Sequence, residues 1–202
     1  MDDASPKSAA KRRTPKGYAG IGHLTLGSDV LSLSEAILMP ELVLGAEVAA
    51  SIRALEPGGW YPIAMLLEPL DRLDAILGPS SLRRIGLEIF ERSHAAAFRR
   101  EASSARDIVH GIDGMYHRAN RGTDIGGWRV MGFGPGVATL EKTTPHHCVM
   151  EEGILEAAFK ALAIPAVFFQ SRCFRKGDDA CEYKITSHIS DERWMGTPGA
   201  RR

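Results

Sequence analysis

The hydrophobic period of this chain changes near Gly126, and that change constrains the fold more than any other feature. Before Gly126, apolar residues recur every three or four positions, which is the spacing of one face of an α-helix. After it, the stretches GGWRVMGFG and GVATLEK alternate apolar and polar residues between glycines, which is typical of a β-hairpin. The sequence therefore predicts a helical first half and an antiparallel sheet in the second half.

Within the first half, a brief alternation predicts one short strand at 21–26, because Leu24 and Leu26 alternate with polar residues. Runs of apolar residues at helical spacing follow it. The predicted helices lie behind Pro40 over 42–55, then over 61–77, 82–90 and 105–116.

In the second half, a helix over 151–162 interrupts the strands. Strands are predicted again at 167–173 and 180–185, on either side of a turn that contains Gly177. The predicted fold class is α+β, with N-terminal helices packed on an antiparallel sheet made of two hairpins separated by a helix. A parallel α/β fold would require strong strand signals in the first half, which the sequence lacks.

The 202 residues suit one domain, which we place at 19–188. Residues 1–18 contain a cluster of basic residues and little to bury, so we predict a disordered basic arm. This arm is interpreted as a solubilising segment, with contact to nucleic acid or an acidic partner as the alternative. Residues 189–202 have the same character and are predicted to form a flexible tail.

The charge balance and the hydropathy exclude some classes of protein. The 25 basic and 25 acidic residues cancel, whereas a protein that binds nucleic acid over its whole surface is normally basic. No apolar run approaches the length of a bilayer span, and the first residues lack the apolar stretch of a signal peptide. We therefore expect a cytoplasmic protein with no membrane segment.

Three cysteines, Cys148, Cys173 and Cys181, are candidates for one shared site. An odd count in a reducing compartment argues against a disulfide framework. Cys173 and Cys181 flank the turn of the second hairpin, and Cys148 precedes a helix, where a thiolate is favoured. A structural zinc site, three inert buried thiols and a redox pair of Cys173 with Cys181 all remain open. The candidates for a fourth zinc ligand are His146, His147, Glu151 and Gln170.

The segment around these cysteines resembles a known family. Pro145, Cys148 and Gly153, followed by QSRCFRKGDDACEY at 170–183, are similar to the C-terminal signature of the 4-vinyl reductase domain family. That family includes the aromatic-sensing domains of phenol-responsive and xylene-responsive transcription activators. It belongs with haem-nitric-oxide-binding and transport-particle-like ligand-binding domains, so the resemblance implies an α+β fold.

The resemblance also implies a zinc site. In the aromatic sensors, three cysteines and a glutamate bind a structural zinc, and the cysteines match Cys148, Cys173 and Cys181. The glutamate position holds Gln170 here, and an amide is a poor zinc ligand. We therefore expect three thiolate ligands and an unidentified fourth.

A ligand pocket is implied as well, because residues 108–114 resemble the sensor segment whose histidine binds the phenol hydroxyl. His110 occupies the position that matches this histidine, and Trp128 matches the tryptophan that completes the contact. Without the resemblance, both residues are interpreted as ordinary core or surface positions. The Tyr-x-Ser-x-Arg triad that holds the haem propionates in haem-nitric-oxide-binding domains is missing after Tyr116, so haem is not expected.

The predicted function is a small-molecule-sensing regulatory domain for a hydrophobic or aromatic ligand. No nucleophile elbow, phosphate-binding loop or open metal motif indicates an enzyme. We expect output through a protein partner and a homodimer. The alternatives are a scaffold module with a filled pocket and a protein resembling the tetrapyrrole 4-vinyl reductases.

Overall fold

The computed structural model describes residues 22–197, so the predicted arm at 1–18 lies outside the described residues. A π-helical turn at Phe90–His94 and a 3-10 turn at Phe174–Lys176 accompany the regular elements. The strands are β1 (Leu24–Leu26), β2 (Trp60–Pro62), β3 (Asn120–Arg121), β4 (Trp128–Gly134), β5 (Val137–Lys142), β6 (Val167–Arg172) and β7 (Cys181–Thr186). The helices are α1 (Gly27–Glu35), α2 (Pro40–Leu44), α3 (Ala46–Arg53), α4 (Ala64–Ile76), α5 (Pro79–Ile89), α6 (Ala95–Glu101), α7 (Ala105–Ala119), α8 (Cys148–Ala161) and α9 (Glu192–Met195).

The main sheet has four antiparallel strands in the order β4-β5-β7-β6. Leu140 of β5 lies opposite Tyr183 of β7, and both are fully buried in an apolar cluster that also contains residues of α7 and α8. The hairpin β4-β5 and the hairpin β6-β7 are separated along the chain by α8. The predicted α+β fold class, with helices on an antiparallel sheet of two hairpins, is confirmed.

A second, three-stranded sheet in the order β2-β1-β3 was not predicted. Strand β1 lies within the predicted strand at 21–26, whereas β2 and β3, of three and two residues, are too short for an alternating pattern to develop. Thr25 of β1 pairs with Tyr61 on one side and with Asn120 on the other. This small sheet therefore fixes Asn120 beside the end of α7.

Helices α5 and α8 approach each other through two glycines. A Cβ atom at Gly86 would lie within 3.0 Å of the Met150 carbonyl oxygen, and one at Gly153 would do the same with the Arg83 carbonyl oxygen. The absence of side chains lets the two backbones touch, as small residues do at other close helix contacts. This contact holds α8, which begins at Cys148, against the N-terminal helices.

The first helices differ from prediction in two places. The single helix predicted over 42–55 is divided into α2 and α3 at Gly45, whose φ of 93° interrupts a right-handed helix. Helix α1 was not predicted at all, although Val30, Leu33 and Ile37 are buried at helical spacing. These residues join a second apolar cluster with α4 and α5.

The predicted flexible tail at 189–202 differs from the structure over its described part. Trp194 of α9 is fully buried, and its indole Nε1 donates to the Gly134 carbonyl oxygen at 2.7 Å. The ring also stacks on Phe133 with centroids 6.0 Å apart. The buried tryptophan thus anchors the chain beyond residue 188. The sequence did not indicate this anchor, because the residues around Trp194 are polar.

Across residues 22–197, no helix is long and apolar enough to cross a membrane.

Candidate functional site

The structure brings the three cysteines into one buried cluster. The Cys148 Sγ atom lies 3.5 Å from that of Cys173 and 3.2 Å from that of Cys181, and all three thiols are free. Cys148 opens α8, Cys173 follows β6, and Cys181 opens β7. The hairpin spacing therefore predicted correctly that Cys173 and Cys181 approach each other.

A tight turn sets the geometry of the cluster. The 3-10 turn after Cys173 ends at Gly177, whose φ of 106° favours glycine. The Asp178 carboxylate accepts a hydrogen bond of 2.7 Å from the Cys173 backbone N–H. These contacts hold the Cys173 side chain toward the other two cysteines, because they prevent the strand from continuing straight.

A buried lysine provides a positive charge next to the cluster. Lys142 is fully buried, donates to the His146 carbonyl oxygen at 2.6 Å and pairs with Glu151 at 2.9 Å. Burial lowers the pKa of Lys142, while the nearby thiol sulfurs act in the opposite direction. The hydrogen bond from Cys148, helped by the Lys142 charge, lowers the pKa of Cys181. Cys181 is thus favoured as a thiolate, which is the form that binds metals.

The predicted candidates for a fourth ligand do not join the cysteines. Among the described histidine, cysteine, aspartate and glutamate residues, the three cysteines form the only group of three or more whose ligand atoms all lie within 4.8 Å of one another. Glu151 is occupied by Lys142 and by the Thr144 hydroxyl at 2.9 Å. Three thiolates suit a soft or borderline cation such as zinc, whose tetrahedral shell would then be completed by water or by a side chain that moves.

Ion pairs tie the cysteine cluster to helix α4. Arg175, in the turn after Cys173, donates to Asp71 at 2.9 Å and to Asp74 at 3.1 Å. His147, the residue before Cys148, places Nε2 3.2 Å from Asp74. Both segments that carry cysteines are therefore held against the same helix.

The predicted ligand residues, His110 and Trp128, line different cavities. His110 is exposed on α7 and borders a surface groove of about 440 Å³. Trp128 is buried on β4 and borders an internal cavity of about 30 Å³. The helix explains the separation, since Ile108, Val109 and Ile112 occupy its buried face and His110 therefore points outward.

The internal cavity is bordered by polar groups that the sequence did not assign to a common pocket. It lies between α1, the π-helical turn, α7, β4 and α8. The lining residues with polar or ionisable side chains, apart from Trp128, are Asp29, His94, Tyr116, Asn120, His146 and Glu151. Burial, followed by the charge of Lys142, lowers the pKa of His146 to about 3, so its imidazole is neutral. These residues are scattered from position 29 to 151, and no local motif could have revealed their proximity.

Comparison with known proteins gives a result at the level of the fold. No protein-family model matches the sequence, and no curated protein matches it. Solved structures do match. An H-NOX protein from S. oneidensis in the Fe(II) state has 15% identity and a TM-score of 0.63, with 84% of this chain and 99% of that one covered. The chain has the fold of H-NOX domains.

Other solved structures agree with that assignment. The Fe(II) unliganded H-NOX protein from K. algicida has 13% identity and a TM-score of 0.58, covering 80% of this chain and 96% of that one. A structure from work on haem redox potential and porphyrin distortion has 10% identity and a TM-score of 0.60, covering 81% and 93%. The expected relation to the haem-nitric-oxide-binding fold is confirmed, while no family model supports the narrower 4-vinyl reductase resemblance.

The prediction that haem is not expected is contradicted, because the solved structures with this fold are H-NOX proteins, and one of them comes from work on haem distortion in the H-NOX family. The internal cavity nevertheless does not fit a porphyrin as it stands. Its volume of about 30 Å³ suits one or two water-sized groups.

Proposed function

We propose that this chain is a regulatory domain that senses a small hydrophobic or aromatic molecule and contains a structural zinc site. The observation that carries the proposal is the H-NOX fold. The polar cavity next to Trp128 has room for only one or two water-sized groups, so it would receive the polar end of such a ligand and the walls would have to open for the rest. Ligand sites of this kind combine apolar walls with a few directed polar groups. In this cavity the apolar walls come from Ile112, Met115 and Ile154.

The sensing proposal is tested by thermal unfolding with a panel of aromatic compounds and with haem. Binders should raise the melting temperature, and the rise should shrink in a Trp128→Leu variant. A His110→Ala variant separates the two cavities, since it alters only the surface groove. Absorbance of the purified protein gives an independent test of haem through the Soret band. A panel with no binder, haem included, would contradict sensing.

The zinc proposal is supported by the short distances between the three sulfur atoms and by the charge of Lys142. A thiolate cluster in an apolar interior is costly unless a cation balances it. Metal analysis should find about one zinc per chain. Cys181→Ser should lose it, and Thr186→Ser, an exposed position on the same strand, should keep it. Metal-free wild type of full stability would refute the site.

Output is proposed to pass through association, as a homodimer or with a protein partner. Support comes from apolar side chains exposed on the main sheet, among them Val137, Val167 and Phe169. Exposed apolar groups on one surface commonly mark contact sites. Light scattering after size exclusion would measure the mass with and without Phe169→Ser. A monomer that captures no partner would contradict this part.

The second candidate is a scaffold module with a filled interior. The small volume of the cavity next to Trp128 favours it. In that case association is unaffected by small molecules, and no compound in the panel stabilises the fold. The same thermal-unfolding panel therefore decides between the two functions.

A further inference from the structure

The internal cavity contains two buried acceptor atoms without a partner. Asn120 Oδ1 and His146 Nε2 have no hydrogen-bond partner among residues 22–197, and both residues line the same cavity. Asn120 is 2% exposed and His146 is 4% exposed. A buried polar atom without a partner is costly, so native proteins rarely leave one unsatisfied.

The orientation of Asn120 follows from its other contact. Its Nδ2 atom lies 3.1 Å from the Tyr116 backbone carbonyl oxygen, which can only accept. The amide nitrogen must therefore face that carbonyl, and the oxygen is the free atom. The unpartnered atom of Asn120 is therefore the acceptor Oδ1.

His146 presents an acceptor for a similar reason. Its Nδ1 atom lies 3.4 Å from a Glu151 carboxylate oxygen, which fixes the ring proton on Nδ1. The Glu151 carboxylate already pairs with the buried Lys142 ammonium. With the proton on Nδ1, the neutral ring leaves the lone pair of Nε2 without a partner.

Charge and aromatic groups around the cavity favour a cation. The carboxylates of Asp29 and Glu151 border it. Glu151 is already paired with Lys142, so the carboxylate that would balance a bound cation is that of Asp29. Asp29 is 4% exposed, and its nearest ionisable partner is His94, with 3.3 Å between Oδ1 and Nε2. Trp128 adds an aromatic ring, whose face attracts an ammonium group when water is excluded.

We propose that this cavity binds the primary ammonium group of a ligand, with Asn120 Oδ1 and His146 Nε2 as the two acceptors. An ammonium group has three N–H donors and no acceptor, which complements a cavity of acceptors, carboxylates and aromatic rings. The inference rests on the proposed sensing function and names the chemistry of its ligand. Anionic ligands are disfavoured by the same groups.

The size of the cavity selects the probe. A volume of about 30 Å³ holds one or two water-sized groups, so ammonium and methylammonium match it without movement of the walls. Ligands this small reach dissociation constants of roughly millimolar at best. The probe is therefore methylammonium chloride at up to about 100 mM, with potassium chloride and tetramethylammonium chloride at equal ionic strength as controls. Neither control cation has an N–H donor.

The experiment is thermal unfolding of the full chain in the three salts. At about ten times its dissociation constant, methylammonium should raise the melting temperature by roughly 3 °C or more over the controls. Asn120→Leu should abolish this excess, and His188→Leu, an exposed histidine replaced in the same way, should keep it. His146→Leu gives a second measurement of the lost acceptor if Asn120→Leu fails to fold.

Two results would overturn the inference. Equal melting temperatures in all three salts would mean that the acceptors bind only water, and an undiminished methylammonium effect in both cavity variants would place the ligand elsewhere. If aromatic compounds stabilise the protein while methylammonium acts like potassium, the inference fails and the sensing function stands. If methylammonium alone stabilises the protein through Asn120, the cavity binds amines and the aromatic ligand class is rejected.

Discussion

Replacing Gly153 with alanine is expected to destabilise the protein, although alanine is the better helix former. In an exposed helix the substitution would add about 1 kcal/mol of stability. At Gly153, however, a Cβ atom would lie within 3.0 Å of the Arg83 carbonyl oxygen, closer than real Cβ atoms approach backbone. Helices α5 and α8 would have to separate, and such overpacking costs about 1–3 kcal/mol. The lost contact at Gly86 adds to this cost.

Because the clash is with backbone, the cost is taken from the upper part of that range, about 2–3 kcal/mol, and subtracting the gain of about 1 kcal/mol in helix propensity predicts a net loss of about 1–2 kcal/mol for Gly153→Ala. Gly111→Ala is the matched control, because Gly111 is also helical and a Cβ there meets nothing within 4 Å. That variant should gain up to about 1 kcal/mol. Urea unfolding gives both free energies. Equal stability of the two variants would refute the close contact of α5 with α8.

Three further predictions concern buried groups. Trp194→Ala should lower the free energy of unfolding by about 3–5 kcal/mol, because it removes a buried ring and its hydrogen bond to the Gly134 carbonyl oxygen. Limited proteolysis should then cleave the C-terminal segment around α9 faster than in the wild type. Lys142→Met should cost about 3–5 kcal/mol because Glu151 keeps an unpaired buried charge, and adding Glu151→Gln should recover part of it in urea unfolding. The pKa of His146 is near 6.5 in the unfolded chain and about 3 in the folded protein. The free energy of unfolding should therefore fall as the pH decreases from 6.5 to 3, by up to about 1.4 kcal/mol per pH unit. This slope should be smaller in the His146→Leu variant. A pH slope unchanged by that substitution would contradict the assignment.

Sequence patterns predicted the elements that are long and amphipathic. Helix α7 was predicted over 105–116 from apolar residues at helical spacing. In the structure Ile108, Ile112 and Met115 lie on its buried face, and Ser104 caps its N-terminus by accepting from the Asp107 N–H. The hairpin of β6 and β7 was located from alternation around a glycine turn. That hairpin in turn predicted the approach of Cys173 to Cys181.

The parts that sequence did not predict depend on contacts between distant residues. The pairing of Thr25 with Asn120 and the meeting of Asp29 with His94 have no local signature. Gly45 is another case, because a glycine that breaks a helix and one that packs inside a helix look alike until the φ angle is known. The placement of His110 was predictable in principle, since the periodicity of α7 already puts it on the exposed face.

The ion pairs of Arg175 also determine whether the cysteine cluster is a separable unit. A fragment that begins at Gly126 would contain all three cysteines, and by sequence its two hairpins and the helix between them would form a self-sufficient unit. The turn that follows Cys173 is nevertheless anchored to Asp71, 104 residues earlier in the chain. Such a fragment would lack its anchor, so the cluster cannot be grafted onto another scaffold as a short cassette. Helix α4 and the last hairpin must therefore be kept together in any design that uses the cysteine cluster.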